Sequence, residues 1–340
     1  MAAKRAIISI AFVVGVISFI VALFIIRSPI KQPKEFGATF SAMYAERFGL
    51  DWQEVYLAIL DDLAVKKIRL PAYWSEIENS EGNFDFSRLD WQIEKASERN
   101  VEVVLALGRK LPRWPECHEP DWVKNQELDL KNQKLLNYIE TAVYHFKNFS
   151  AIKIWQVENE PFLKFGECPN FSEEFLDREI ALVRSLDPLP GGRPVMLTDS
   201  GELSVWVPAA KRADIFGSTL YRIVWNQALG TFKYPLLPSF FRFKKSLTEM
   251  FVGKKPMVII ELQGESWTRQ MTYEISADEQ YVSMNPEIFR GVLAYASRTG
   301  FDTFYFWGAE WWYWLKKTQN KPELWDMAKE AVRKTLDRGQ

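Results

Sequence analysis

Eight short apolar runs recur along the chain, each bounded by polar or turn residues. The runs are Phe36 to Phe40, Lys67 to Pro71, Val101 to Gly108, Ile152 to Asn159, Pro194 to Thr198, Ile215 to Tyr221, Met257 to Leu262 and Thr303 to Trp307. Each has the length of a buried strand. Between them lie stretches with helical spacing: Trp52 to Ala64, Leu89 to Arg99, Leu135 to Phe149, Glu173 to Leu186, Glu287 to Arg298 and, at the end, Pro322 to Leu336. Asn285-Pro286 has the form of an N-cap followed by proline at the first helical position. Strand and helix alternating in this way predict parallel βα units, and eight of them predict an α/β fold of the (β/α)8 TIM barrel type over residues 36–340. The fifth and sixth units are the least regular, because Ser204 to Lys211 and Ser239 to Phe251 are short and mixed. No internal repeat, low-complexity tract or second domain interrupts the pattern.

One stretch breaks the alternation. From Ile7 to Ile26 only Ser9, Gly15 and Ser18 are not strongly apolar, and as a helix the stretch would measure about 30 Å, the thickness of a bilayer's hydrocarbon core. It is longer than the apolar core of a signal peptide, and Arg27-Ser28-Pro29 follows it in place of a small-residue cleavage site. Residues 1–28 are therefore expected to form a single uncleaved membrane helix, joined to the barrel by a linker over 29–35. Lys4 and Arg5 on one side nearly balance Arg27, Lys31 and Lys34 on the other, so charge does not set the orientation.

With 43 basic and 44 acidic residues the net charge is −1, which offers no electrostatic footprint for nucleic acid. His118 and His145 are the only histidines, which excludes a three-histidine zinc site, and neither accompanies a nucleophile signature. No metal or cofactor is expected, and the oligomeric state stays open. Cys117 and Cys168 follow the third and fourth runs; on neighbouring loops they either pair or remain two thiols. Fourteen tryptophans mostly serve packing, but those near strand ends could offer flat platforms for a pyranose face.

Carboxylates are left as the groups for chemistry. The fourth run enters Glu158-Asn159-Glu160-Pro161 and the seventh ends on Glu261, so two strands each deliver a carboxylate at the barrel end where reactive groups collect. By strand alternation Gln156, Glu158 and Glu160 share one face, as do Ile259, Glu261 and Gln263. Two opposed carboxylates suffice to break a glycosidic bond. Glu158 is a rival to Glu160, and Glu265 and Glu310 are further acids on the same rim, either binding substrate or solvated.

The segment Trp155-Gln156-Val157-Glu158-Asn159-Glu160-Pro161 resembles the Asn-Glu-Pro signature of the clan A retaining glycoside hydrolases, a (β/α)8 superfamily that includes cellulases, mannanases and β-galactosidases. The resemblance implies that Glu160 is the general acid/base and Glu261 the nucleophile, on the fourth and seventh strands. It further implies that Arg69 lies beneath the nucleophile, that Asn159 hydrogen-bonds the sugar 2-hydroxyl, that Tyr221 holds the nucleophile, and that Trp307 forms the sugar platform. Trp74 and the stretch after it, Ser75 to Asp90, are similar to the second-strand loop of several of these families, which places Trp74 among the substrate-binding residues. Leu262-Gln263 departs from the Phe or Trp with Gly that many members carry after the nucleophile. Trp311, Trp312 and Trp314 either wall a subsite or pack beneath the rim. The function so implied is retaining hydrolysis of O-glycosidic, β-linked oligo- or polysaccharides. The alternatives are a membrane-tethered carbohydrate-binding protein without turnover and a transglycosidase. Because such substrates lie mostly outside the cytoplasm, the barrel is expected there.

Overall fold

The computed structural model describes residues 29–168 and 172–339, together with Gly15. Eight parallel strands close into a barrel: β1 (Glu35–Thr39), β2 (Lys67–Pro71), β3 (Glu102–Leu107), β4 (Ile152–Val157), β5 (Val195–Asp199), β6 (Ile215–Leu220), β7 (Met257–Gln263) and β8 (Thr303–Trp307). Each pairs with its neighbour in chain order, and Glu35 to Ala38 of β1 pair with Thr303 to Phe306 of β8 to complete the ring. The expected strands agree with these to within one or two residues at each end.

The apolar runs are continuous because both faces of such strands are covered. Outward side chains such as Ile68, Leu105, Trp155, Leu197, Ile259 and Phe306 join one large core with the surrounding helices. Inward, Val104, Met196, Ile260 and Tyr305 pack with Ile154, Ile215 and Val258 to plug the barrel with a dry layer. Gly217 on β6 makes room for that layer, since a Cβ there would press on Thr198 and Ile260. Above the plug the interior turns polar, and Arg69, Gln156, Thr198, Thr219 and Glu261 all point into it, each at most 3% exposed. Burying that many polar groups costs stability unless each is paired, so their partners decide what this end of the barrel does.

The helix expected over Glu173–Leu186 forms there, and the one expected over Glu287–Arg298 runs from Pro286 to Ala296, capped by Asn285, whose side chain accepts from the backbone N–H groups of Glu287 and Ile288. Two features were not predicted. An antiparallel hairpin, Ile223–Asn226 with Gly230–Lys233, follows β6, and the helix Ala309–Thr318 follows β8 at once. That helix carries the tryptophan cluster. Trp311 and Trp312 are fully buried in the core, and their indole N–H groups donate to Gln280 Oε1 and the Gly264 carbonyl, both at 2.6 Å. They pack beneath the rim and wall no subsite.

The expected membrane helix over residues 1–28 lies outside the described residues, apart from Gly15. Among the described residues no helix is long and apolar enough to cross a membrane.

Candidate active site

The chain leaves β4 at Val157 and enters a turn built by two left-handed residues, Glu158 at φ 57° and Glu160 at φ 45°. Non-glycine residues seldom adopt this region, and its presence at a functional turn is a known use of local strain. The turn is held from several sides. Lys110, 2% exposed, donates from Nζ to the carbonyls of Glu160 (2.9 Å) and Leu163 (2.7 Å), and the Thr198 hydroxyl on β5 accepts from the Glu160 N–H at 2.9 Å.

Two positive φ values break the period-two alternation, so Gln156, Glu158 and Glu160 do not share a face. Glu158 is no rival to Glu160. It turns towards β3, where its carboxylate accepts from the backbone N–H groups of Arg109 (2.9 Å) and Lys110 (2.6 Å). Gly108 is required there, because a Cβ would collide with the Glu158 carboxylate. Burial lifts both Glu158 and its buried neighbour Glu179 above the ordinary carboxylate range.

Glu261 reaches the interior by a different route. On β7 both Val258 and Ile260 point into the dry layer while Ile259 points to the helices, so strict alternation would also send Glu261 outward. The register against both neighbours shifts here: Ser218 pairs with Ile259 but Thr219 pairs with Glu261, and Phe304 and Phe306 pair with Ile259 and Leu262. One extra residue in β7 re-aims Glu261 inward, as β-bulges beside active sites commonly do.

Inside, Glu261 is gripped at both oxygens. Arg69 donates from Nη1 to Oε1 at 2.7 Å, and the Tyr221 hydroxyl donates to Oε2 at 2.9 Å. Arg69 is itself fixed, with Nε on Gln156 Oε1 (2.8 Å) and Nη2 on Asn159 Oδ1 (2.7 Å).

Glu160 meets the same interior with no such cation on its carboxyl group. Its Oε1 accepts from the Thr219 hydroxyl at 3.2 Å, and Thr219 is the residue paired directly with Glu261 across β6 and β7. The charge of Glu261 acts on Glu160, so the two carboxyl groups converge at this end of the barrel. Burial first, then the charges of Glu261 and Glu116, hold the Glu160 carboxyl well above its ordinary value. Glu160 is thus set up to keep its proton where an ordinary carboxyl has lost it, as a general acid requires.

Tyr221, Arg69, Asn159, Glu160 and Glu261 are therefore brought together. Trp74 is not. Its ring is fully buried, stacked on Tyr138 at 5.8 Å and edge-on to Trp122 at 6.0 Å, and its N–H donates to Glu78 at 2.6 Å. Sequence alone did not separate a rim tryptophan from one packed against the helix Leu128–Phe146 that supplies Tyr138.

Trp307 stands at the top of β8, 7% exposed, with one ring face taken by the Arg113 guanidinium at 4.0 Å. Arg113 also lies 3.7 Å from the Tyr44 ring and donates to Glu265 Oε1 and Glu310 Oε2, each at 2.8 Å. Glu265 and Glu310 are thus buried on Arg113 and not solvated, and among the described residues Glu265 Oε2 has no hydrogen-bond partner. Arg113→Ala is expected to lower the unfolding free energy by about 3–5 kcal/mol, because two buried carboxylates lose their counter-ion. Urea titration of wild type and variant reads this directly, and a loss below about 0.5 kcal/mol would show the clasp to be dispensable.

Tyr221→Phe removes one of the two grips on Glu261 while keeping the ring. A hydrogen bond to a carboxyl group in such a site contributes about 1.5–3 kcal/mol, so any reaction that depends on Glu261 is expected to slow roughly 10- to 100-fold. Steady-state rates that match wild type within about twofold would show that the phenol does not tune Glu261.

Several contributors escaped sequence reasoning. Gln156, Thr198, Thr219 and Lys110 act through backbone or second-partner contacts that no motif marks. Glu116 also lies at the site, its carboxyl pushed up to about 8 by burial and by Glu261 against the opposing pull of Lys110 and Arg69. An aromatic arc runs from Tyr221 to Trp267 (5.0 Å), Phe165 (5.9 Å) and Trp114 (6.1 Å), the last two 39% and 40% exposed. Cys117 and Cys168 form a disulfide that ties the loop after β3 to the loop after β4.

Residues 71–175 match the family model described as glycosyl hydrolase family 10. Among curated proteins, "Beta-galactosidase BgaA" of Clostridium cellulovorans is 26% identical over 184 residues, which cover 48% of this chain and 27% of that protein. Among solved structures, the exo-β-1,4-mannosidase Op5Man5 from Opitutaceae bacterium strain TAV5 superposes with a TM-score of 0.60 at 15% identity, covering 92% of this chain and 62% of that one. A β-galactosidase from the Antarctic haloarchaeon Halorubrum lacusprofundi gives a TM-score of 0.56 at 14% identity, covering 80% and 52%. The chain spans about a quarter of the curated relative and between half and two thirds of these two structures. In matched sequence and in fold the chain resembles the clan A glycoside hydrolase superfamily, and the family match and the β-galactosidase relative support glycosidase activity.

Proposed function

We propose that the likeness to clan A extends to its chemistry, and that this barrel is a retaining glycosidase acting on β-linked oligo- or polysaccharides by double displacement. The observation that carries the proposal is the contrast between two carboxyl groups converging at one end of the barrel: Glu261 bound by Arg69 and Tyr221, Glu160 bound only by a hydroxyl and held well above its ordinary value. In the first step Glu261 attacks the anomeric carbon while Glu160 gives its proton to the departing oxygen; in the second, Glu160 takes a proton from water, which displaces Glu261. Asn159, fixed through Oδ1 by Arg69 and Thr198, turns its amide to Glu116 and keeps its second N–H for a partner such as a sugar hydroxyl. The exposed edge of the aromatic arc and the remaining face of Trp307 suit stacking on pyranose rings. The names of the similar proteins, two β-galactosidases and a β-1,4-mannosidase, favour β-hexosides as the first substrates to try.

We further propose that the barrel lies outside the cytoplasm, tethered to a membrane through the apolar stretch Ile7–Ile26. The disulfide supports an oxidising compartment. Protease accessibility in intact cells tests the placement.

The full-length chain should be incubated with 4-nitrophenyl β-galactoside, β-mannoside, β-glucoside and β-xyloside and with β-linked oligosaccharides, and the first-formed anomer followed by proton NMR. Release of the β-anomer is expected. Initial release of the α-anomer would overturn the double displacement, and binding of sugars without turnover of any substrate would overturn the enzymatic reading.

A further inference from the structure

A third carboxyl group stands beside Glu160 and Glu261, and the double displacement does not use it. Glu116 lies on the loop after β3 and is 8% exposed. Its main chain is fixed from both sides, the N–H donating to the Arg113 carbonyl (2.8 Å) and the carbonyl accepting from the Leu111 N–H (2.9 Å), with φ at 66°. The next residue, Cys117, is bonded to Cys168 of the loop after β4. Gly166 presses on the Glu116 side chain so closely that a Cβ at 166 would lie 2.7 Å from the Glu116 Cβ. A loop held this tightly aims its side chain in one direction.

That direction is the site. The Asn159 side chain hydrogen-bonds Glu116, the charges of Lys110, Arg69 and Glu261 act on it, and Glu160 in turn feels its charge. Yet Oε2 is buried and, among the described residues, has no hydrogen-bond partner. A buried oxygen left unpaired is costly, and native proteins seldom leave one without a role. What is missing is a hydrogen-bond partner, and a sugar ring lodged between Glu160 and Glu261 would bring hydroxyl groups, which donate and accept, into this space.

We propose that Glu116 is a specificity-determining residue: its Oε2 shares a hydrogen bond with one ring hydroxyl of the saccharide held between Glu160 and Glu261. The proposal rests on the glycosidase reading and deepens it. Glu116 takes no part in bond making. It selects a sugar bearing a hydroxyl at one position, because a sugar lacking that hydroxyl leaves the oxygen unpaired.

The test compares wild type, Glu116→Ala and Glu116→Gln on whichever 4-nitrophenyl glycoside the wild type turns over best and on its 2-, 3-, 4- and 6-deoxy analogues. On the parent glycoside Glu116→Ala is expected to lower kcat/KM roughly 10- to 100-fold, and Glu116→Gln, which keeps an acceptor oxygen, by less than about 10-fold. With one deoxy analogue the penalty should vanish, because wild type and variants then lack the same contact. An equal penalty on all analogues would show that Glu116 only holds Asn159 in place, and no penalty on any would show that it faces no substrate; either result overturns the proposal. Should the alanine variant misfold, as judged by circular dichroism, the near-isosteric glutamine variant carries the same comparison. Wild type inert towards every glycoside overturns the glycosidase reading and this proposal with it, a pattern distinct from an active wild type whose Glu116 variants show no dependence on the deoxy position.

Discussion

Replacing Glu261 with alanine is expected to lower kcat on aryl β-glycosides by roughly 10,000-fold or more, the scale seen when a covalent nucleophile is removed from a unit that works together. The loss should come without unfolding. Glu261 leaves behind Arg69, which still has Gln156 and Asn159 as partners, and Tyr221, whose hydroxyl opens onto the vacated space. That space next to a guanidinium suits a small anion. Added azide should restore part of the rate, and the product should be the α-glycosyl azide, because only one displacement then occurs at the anomeric carbon. Activity persisting in Glu261→Ala without azide would remove the residue from this role.

Replacing Glu160 with alanine is expected to act differently. General acid catalysis contributes about 100- to 10,000-fold, and how much of that is felt depends on how badly the leaving group needs a proton. Substrates with sugar leaving groups should lose close to the full amount, while 2,4-dinitrophenyl glycosides should lose little in the first step and instead accumulate the glycosyl enzyme. The pH profile carries a second signature. Burial and the nearby charges of Glu261 and Glu116 raise the Glu160 carboxyl, so its proton is present at low pH and is lost as pH rises past the ordinary carboxylate range. The wild-type kcat/KM should therefore fall on its alkaline side through Glu160, and Glu160→Gln should flatten that limb. An unchanged alkaline limb in the variant would assign it to another group.

Much of the barrel was legible because its strands are covered on both faces and so appear as short apolar runs of strand length. All eight were located, and β2 and β8 to the residue. The meeting of Arg69, Asn159, Glu160, Tyr221 and Glu261 at one end of the barrel was legible, because each stands at a strand end. The site was not legible where the backbone departs from regular geometry. Alternation placed Glu158 with Glu160, but two left-handed residues turn Glu158 onto the β3 loop. Alternation also placed Glu261 with Ile259, and only the bulge in β7 brings it to Arg69. Trp74 failed for another reason, since composition does not distinguish a stacking platform from a ring packed on Tyr138. Arg113 and Glu116 sit on a long loop after β3 with no motif, and their roles follow from neighbours far away in the chain: Glu265, Glu310 and Trp307 for the first, Asn159 and Gly166 for the second. The hairpin after β6 did leave a trace, the Asn226 to Gly230 turn between two short apolar stretches.

Covalent capture tests most directly whether Glu261 and Glu160 divide the work as proposed. Incubation of the full-length chain with the 2,4-dinitrophenyl 2-deoxy-2-fluoro-β-glycoside of its preferred sugar slows release more than attack. Mass spectrometry should then show one added glycosyl unit, located after proteolysis on the peptide containing Glu261. A label on Glu160, Glu116 or any other residue, or an unlabelled chain that still turns over the parent glycoside, would contradict the assignment.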